Sequence, residues 1–309
     1  MKSKICSSEY VRTVSRGKSW IPAFLSLGFF LAFPVALLLV VGNWKAARYT
    51  PDQLHLLYEG LWKEKLVFTG GAITIVAAIM NSINGFSYVY SRKKVDFYHS
   101  LPVKRSRMFW NRVYTGLLYY LVPYMIMEFF AVCIGAAKGF FSLKLMELAA
   151  RLLLVHLLLY FLFYFSIVLV FCVTGNFLMG VLCLAGMQLY GPALGILMSF
   201  CAYGFFDTFS SNYPYGIFKA LEDYASPITL TAAFWQKYEA GQGAALAAVL
   251  FVLTLIFTAV SYFAYIHRPS EAAGKPMVYG KLAAVIKFMV VVPCGMGTGF
   301  VFYLIPTSH

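Results

Sequence analysis

Hydrophobic residues in this chain come in long unbroken runs. They follow neither the three-and-four spacing of a surface helix nor the alternation of a half-buried strand. The longest run, Leu152 to Phe206, contains no Asp, Glu, Lys or Arg. At roughly 20 residues per crossing it has room for two membrane-spanning helices. Gly175 and Asn176 supply its one break, which predicts a tight turn between them. Runs of the same kind elsewhere predict seven spans in all, over residues 20–42, 66–90, 113–137, 152–173, 178–202, 244–266 and about 286–305. The expected fold is therefore all-α, a polytopic membrane protein. No pair of spans repeats another, so an inverted-repeat architecture gets no support.

Composition agrees with that pattern. The chain has 309 residues, 61% hydrophobic and only 12% charged, more apolar surface than a soluble core of this size requires. Lys and Arg then set the orientation. With the N-terminus inside, sixteen of the 25 basic residues fall on inner segments, seven of them within residues 91–112, which is the bias cytoplasmic loops carry. The formal charge of +13 therefore reads as contact with anionic lipid, and no nucleic-acid partner is expected. The six cysteines show no CxxC and no metal-ligand spacing. Cys133 and Cys201 both come near the outer surface, but a disulfide is not expected.

Between the spans, three stretches stand out. Residues 1–19 intersperse Ile5, Tyr10, Val11 and Val14 with Lys4, Arg12, Arg16 and Lys18, the pattern of a helix lying in the interface. The following run is too long for a signal peptide and reads as an uncleaved first span. Residues 203–243 form an outer loop rich in aromatics, with Pro214 and Pro227; short broken helices at the membrane boundary are expected there, with or without a transport role. Arg92 to Arg112 carries seven basic residues and one acid, Asp96. Ser100 is placed to cap a helix there, with Pro102 suited to its first turn and Lys104 to Arg112 leading into the third span.

Catalytic constellations are missing. There is no HExxH, no GxSxG and no pair of intramembrane aspartates. Gly17-Lys18-Ser19 looks like the tail of a phosphate-binding loop, but position 12 is Arg where the first glycine should be. No catalytic residue, cofactor or metal site is assigned to the chain, which is read as no enzyme. Glu128 is the one acid inside a span, with Pro123 before it. A helix break there would let the carboxyl bind a cation, pair across an interface or face a cavity. Alternatively it lies at the outer interface. His156 and Arg151 read as interfacial anchors, and Lys287 as a residue that snorkels.

Asp96-Phe97-Tyr98-His99-Ser100-Leu101-Pro102-Val103-Lys104-Arg105 resembles the DFYxSLPxKR signature of bacterial ABC-2-type transporter permeases, and among them the Ytr-like group of Gram-positive bacteria. The decapeptide is specific; the rest of the likeness, over residues 1–266, is one of hydropathy. The resemblance implies a six-span transmembrane domain over 20–266 in the bacterial cytoplasmic membrane, with a cytoplasmic coupling loop at 91–112. It also implies a second permease subunit, identical or different, and separate ATPase subunits that hold ATP and Mg. Asp96, Phe97, Tyr98, Ser100, Leu101, Pro102, Lys104 and Arg105 would be the ATPase-coupling residues, with Phe97, Tyr98 and Leu101 as anchors and the charged groups fixing register. Glu128 is carried as a candidate translocation or intramembrane polar site. Residues 267–309, a linker and seventh span, depart from the six-span plan; the expectation is a short or truncated form of a longer C-terminal extension. A non-transporting scaffold or sensor of an envelope-stress complex, and an ion-coupled carrier, stand as alternatives.

Overall fold

The computed structural model describes residues 20–44, 50–206 and 216–304; the interfacial helix expected over 1–19 lies outside them. Among the described residues, seven helices are long and apolar enough to cross a membrane: α1 (Trp20–Gly42), α2 (Pro51–Tyr90), α4 (Arg105–Ala137), α5 (Leu143–Val173), α6 (Phe177–Phe205), α9 (Ala244–His267) and α10 (Gly280–Tyr303). Between them lie α3 (Arg92–His99), α7 (Ile217–Tyr224) and α8 (Pro227–Glu239). Among the described residues the only strand-like pairing is an isolated bridge between Thr174 and Met277. The protein is an all-α, multi-pass membrane protein.

Several helices start earlier than the apolar runs, because polar residues build their first turns. α2 opens at Pro51, where Thr50 and Gln53 form a reciprocal capping box and proline occupies the first helical position. α5 opens at Leu143 behind Ser142, whose Oγ accepts from the Leu145 amide at 3.1 Å. The break at Gly175 and Asn176 is used as the sequence suggests, with the Asn176 side chain capping α6 through the Leu178 amide at 3.0 Å. α4 runs unbroken through Pro123, so the chain makes no helix break before Glu128; the buried proline is absorbed within a 33-residue helix. Cys133 and Cys201 are free thiols.

The chain divides into two compact units, Met1–Leu169 with Phe251–His267, and Val170–Leu250 with Arg268–His309. The core of the first is aromatic. Phe29 and Phe33 of α1 meet Tyr120 and Tyr124 of α4 edge-on, and Phe86, Phe109 and Tyr265 close the opposite end. Gly70 of α2 makes this possible: a Cβ there would come within 2.5 Å of His156 and 2.7 Å of Phe33.

In the second unit, Gly191 and Gly195 let the short helices approach α6 closely; an added Cβ would strike Ala225 and the Phe218 carbonyl. Arg268 is buried and donates from Nη1 to the carbonyls of Phe171, Cys172 and Thr174 at 2.7–2.9 Å. It thereby closes the C-terminal end of α5, where carbonyls lack helical donors and the helix dipole favours a cation. α10 exposes Phe288 and Phe302, and none of its most apolar stretch is buried within the chain. Lipid, unlike water, tolerates such a surface.

Candidate functional site

The Arg92–Arg112 passage folds as a helix, a turn and the start of the next helix. α3 ends at His99, and Ser100 sits at its C-terminal end, its Oγ donating back to the Phe97 carbonyl at 2.8 Å. This corrects the expected helix start at Ser100. Pro102 lies in the turn, Lys104 is extended, and α4 begins at Arg105. The cause is the apolar spacing of Val95, Tyr98 and Leu101. Val95 is buried, while Tyr98, Leu101 and Val103 pack on the buried Met108 of α4.

The turn is therefore seated on the bundle, and Arg112 holds it there. Its guanidinium lies 3.8 Å from the ring centre of Tyr88 and 4.6 Å from that of Tyr98, while Nη1 donates to the Gly85 carbonyl. Such a cation between two rings, shielded from water, attracts them more strongly than at an exposed site. Tyr88 reaches α9 through a 2.6 Å hydroxyl contact with Tyr265. Arg105 Nη1 donates to the Ile266 carbonyl at 3.1 Å, and Ser106 pairs with Tyr262 at 2.9 Å. The loop is thus tied to the last turns of α2 and α9 and to the first turns of α4.

This seating sorts the eight loop residues singled out by the sequence. Phe97 is 54% exposed, and Asp96, Ser100, Pro102 and Lys104 are exposed beside it. Tyr98, Leu101 and Arg105 are turned toward their own bundle. The anchor group expected from sequence is therefore divided, with Phe97 the large apolar group presented outward.

A second feature starts at Arg112. Residues Arg112, Gly116, Tyr120, Tyr124 and Glu128 recur every fourth position of α4 and form one buried stripe. At 1.5 Å per residue the stripe covers about 24 Å, most of a bilayer's hydrocarbon thickness. Asn81 of α2 donates to the Gly116 carbonyl at 2.9 Å and to the Tyr160 hydroxyl at 3.2 Å. Tyr160 stacks on Tyr120 with ring centres 4.2 Å apart, and Tyr120 pairs with Thr74 at 3.2 Å. The Tyr124 hydroxyl is 2.9 Å from His156 Nδ1, and His156 Nε2 is 3.0 Å from the Val67 carbonyl. Glu128 is 6% exposed, and its Oε1 is buried without a hydrogen-bond partner.

His156 is fully buried, which corrects its reading as an interfacial anchor. α5 begins about three and a half turns before it, at Leu143, and so carries it into the bundle. Arg151 remains at the surface, paired with Glu147. The roles of Arg112, Tyr120, Tyr124, Asn81 and Tyr160 were not drawn from sequence, although the four-residue spacing is visible in it. A separate apolar groove of about 750 Å³, open to the surface, lies between α4, α5 and α9, lined by Trp110, Tyr114, Phe161, Phe165, Phe251 and Thr254 among others.

Fold and site together define a multi-pass helical membrane protein with a basic helix-turn seated on its bundle and a polar stripe buried within it. Comparison with protein-family models, with curated proteins and with solved structures finds no match.

Proposed function

We propose that this chain is the transmembrane permease subunit of an ATP-binding cassette transporter, an exporter of a bacterial cytoplasmic membrane with its N-terminus in the cytoplasm. A separate ATPase subunit, holding ATP and Mg, docks on residues 91–112, and a second permease subunit completes the assembly. The observation that carries this reading is the braced turn. Asp96–Arg105 forms a compact unit that presents Phe97, Asp96 and Lys104 outward while Tyr98, Leu101, Met108 and Arg112 hold it to the bundle. A partner that grips Phe97 and moves it delivers force to α4 along the chain and to α2 and α9 through Arg112, Tyr88 and Arg105. A loop meant only to hold topology needs positive charge and no such bracing.

The test is to co-purify the chain with an ATPase encoded beside it, reconstitute both in vesicles, and compare wild type with Phe97→Ala. Loss of a central aromatic anchor weakens coupling about 10-fold or more, so ATP-driven transport should fall by that factor while the spans stay folded. Unchanged transport in Phe97→Ala would remove the docking assignment. A stable complex that moves no solute would favour a scaffold or sensor instead.

A further inference from the structure

The outer part of the α4 stripe contains an unused acid beside a hydrogen-bond chain whose direction can be worked out. The Val67 carbonyl can only accept, so His156 Nε2, 3.0 Å away, carries a hydrogen. In a neutral imidazole Nδ1 is then the acceptor, and the Tyr124 hydroxyl donates to it across 2.9 Å. With that hydrogen committed, the Tyr124 oxygen can still accept. In an imidazolium both ring nitrogens donate, Nδ1–H points at the Tyr124 oxygen, and the phenol hydrogen is freed to turn elsewhere. The direction of the Tyr124 hydroxyl therefore reports the charge on His156.

Glu128 is the group that can use this. It lies one turn beyond Tyr124 on the same stripe, and its carboxyl is in electrostatic reach of the Tyr124 and Tyr120 hydroxyls. It is more than nine-tenths buried, Oε1 has no partner, and no cation pairs with it among the described residues. The side chains that hold the Tyr120, Tyr124 and His156 cluster beside it carry no formal charge. α1 contributes Phe29 and Phe33, α2 contributes Thr74 and the Val67 carbonyl, and α5 contributes His156 and Tyr160. The titratable groups facing Glu128 are thus Tyr120 and Tyr124, with Tyr160 and His156 joined to them in the same cluster. A stabilising structural role would call for a partner on every buried polar atom, and Oε1 lacks one.

We propose that Glu128, Tyr124 and His156 form a proton-binding site inside the membrane, in which one proton is exchanged between carboxyl and imidazole through the phenol hydroxyl. As the Glu128 O–H gives its proton to the Tyr124 oxygen, Tyr124 gives its own to His156 Nδ1. The carboxyl becomes a carboxylate, the imidazole an imidazolium, and the phenol is unchanged. No electrons move, and the site's net charge is conserved until a proton enters or leaves. The ligand is the proton, and the site stands independently of any ATPase partner.

The experiment uses the full chain in lipid nanodiscs, with proton release followed by an indicator dye and the protonated-carboxyl C=O stretch by infrared difference spectroscopy. Wild type should release one proton more per chain than Glu128→Gln across the titration, and the variant should lose the carboxyl band. His156→Gln keeps a donor for Val67 and an acceptor for Tyr124 but cannot take a proton. At a fixed neutral pH its carboxyl band should be stronger than in wild type, because the proton has nowhere to go. Equal proton release by wild type and folded Glu128→Gln would overturn the site. A carboxyl band of the same intensity in His156→Gln and wild type would overturn the exchange. The second comparison decides even if Glu128→Gln fails to fold.

Discussion

Phe97 and Tyr98 are adjacent aromatic residues with opposite duties. Phe97 faces outward, and Tyr98 rests against Tyr88, Arg112 and Met108. Truncating Tyr98 to Ala removes ring packing and a cation–π contact, which we expect to cost about 1–3 kcal/mol. A lower melting temperature in detergent should show it, whereas Phe97→Ala should melt like wild type. Arg112→Lys keeps the charge but loses the planar fork that spans Tyr88, Tyr98 and the Gly85 carbonyl, so it should destabilise nearly as Arg112→Ala does. If the two tyrosines act through charge alone, the lysine variant will melt with wild type. Gly70 makes a third case. A methyl group there must displace the buried rings of His156 and Phe33, and Gly70→Ala should lose about 1–3 kcal/mol by overpacking.

At the scale of elements, the end of α5 depends on a residue far away in sequence. The last carbonyls of α5 are satisfied by Arg268, nearly a hundred positions on. Arg268→Ala should destabilise the second unit by about 2–4 kcal/mol, since it takes a charged donor from three carbonyls and removes the cation at the helix C-terminus. Faster amide exchange at the end of α5, with the middle of the helix unchanged, would be its signature. The apolar runs were legible because lipid demands them, and they placed all seven long helices. Their starts were less so: Pro51, Arg105 and Leu143 precede the runs, because polar caps and first turns leave no hydropathy signal. Ser100 misled for a related reason. A serine beside a proline suits either end of a helix, and the packing of Tyr98 and Leu101 on Met108 decided which. The polar stripe was half legible. Its spacing along α4 is periodic, but Asn81, His156 and Tyr160 join it from other helices through contacts that only the fold creates.

For the whole molecule, the proposal divides labour between a chain that has no motif for nucleotide chemistry and a partner that does. The first unit contributes a braced turn at one end and a buried polar stripe over most of the membrane's thickness. The direct measurement for the proposed docking point is site-specific photo-crosslinking in cells that co-express the chain with a candidate ABC ATPase subunit. One cross-linker replaces the exposed Phe97, and a control replaces the exposed Leu118 in the apolar part of α4. The proposal predicts an adduct with the ATPase from position 97 and none from position 118. No adduct from position 97, or labelling of that position by an impermeant reagent added outside intact cells, would contradict it.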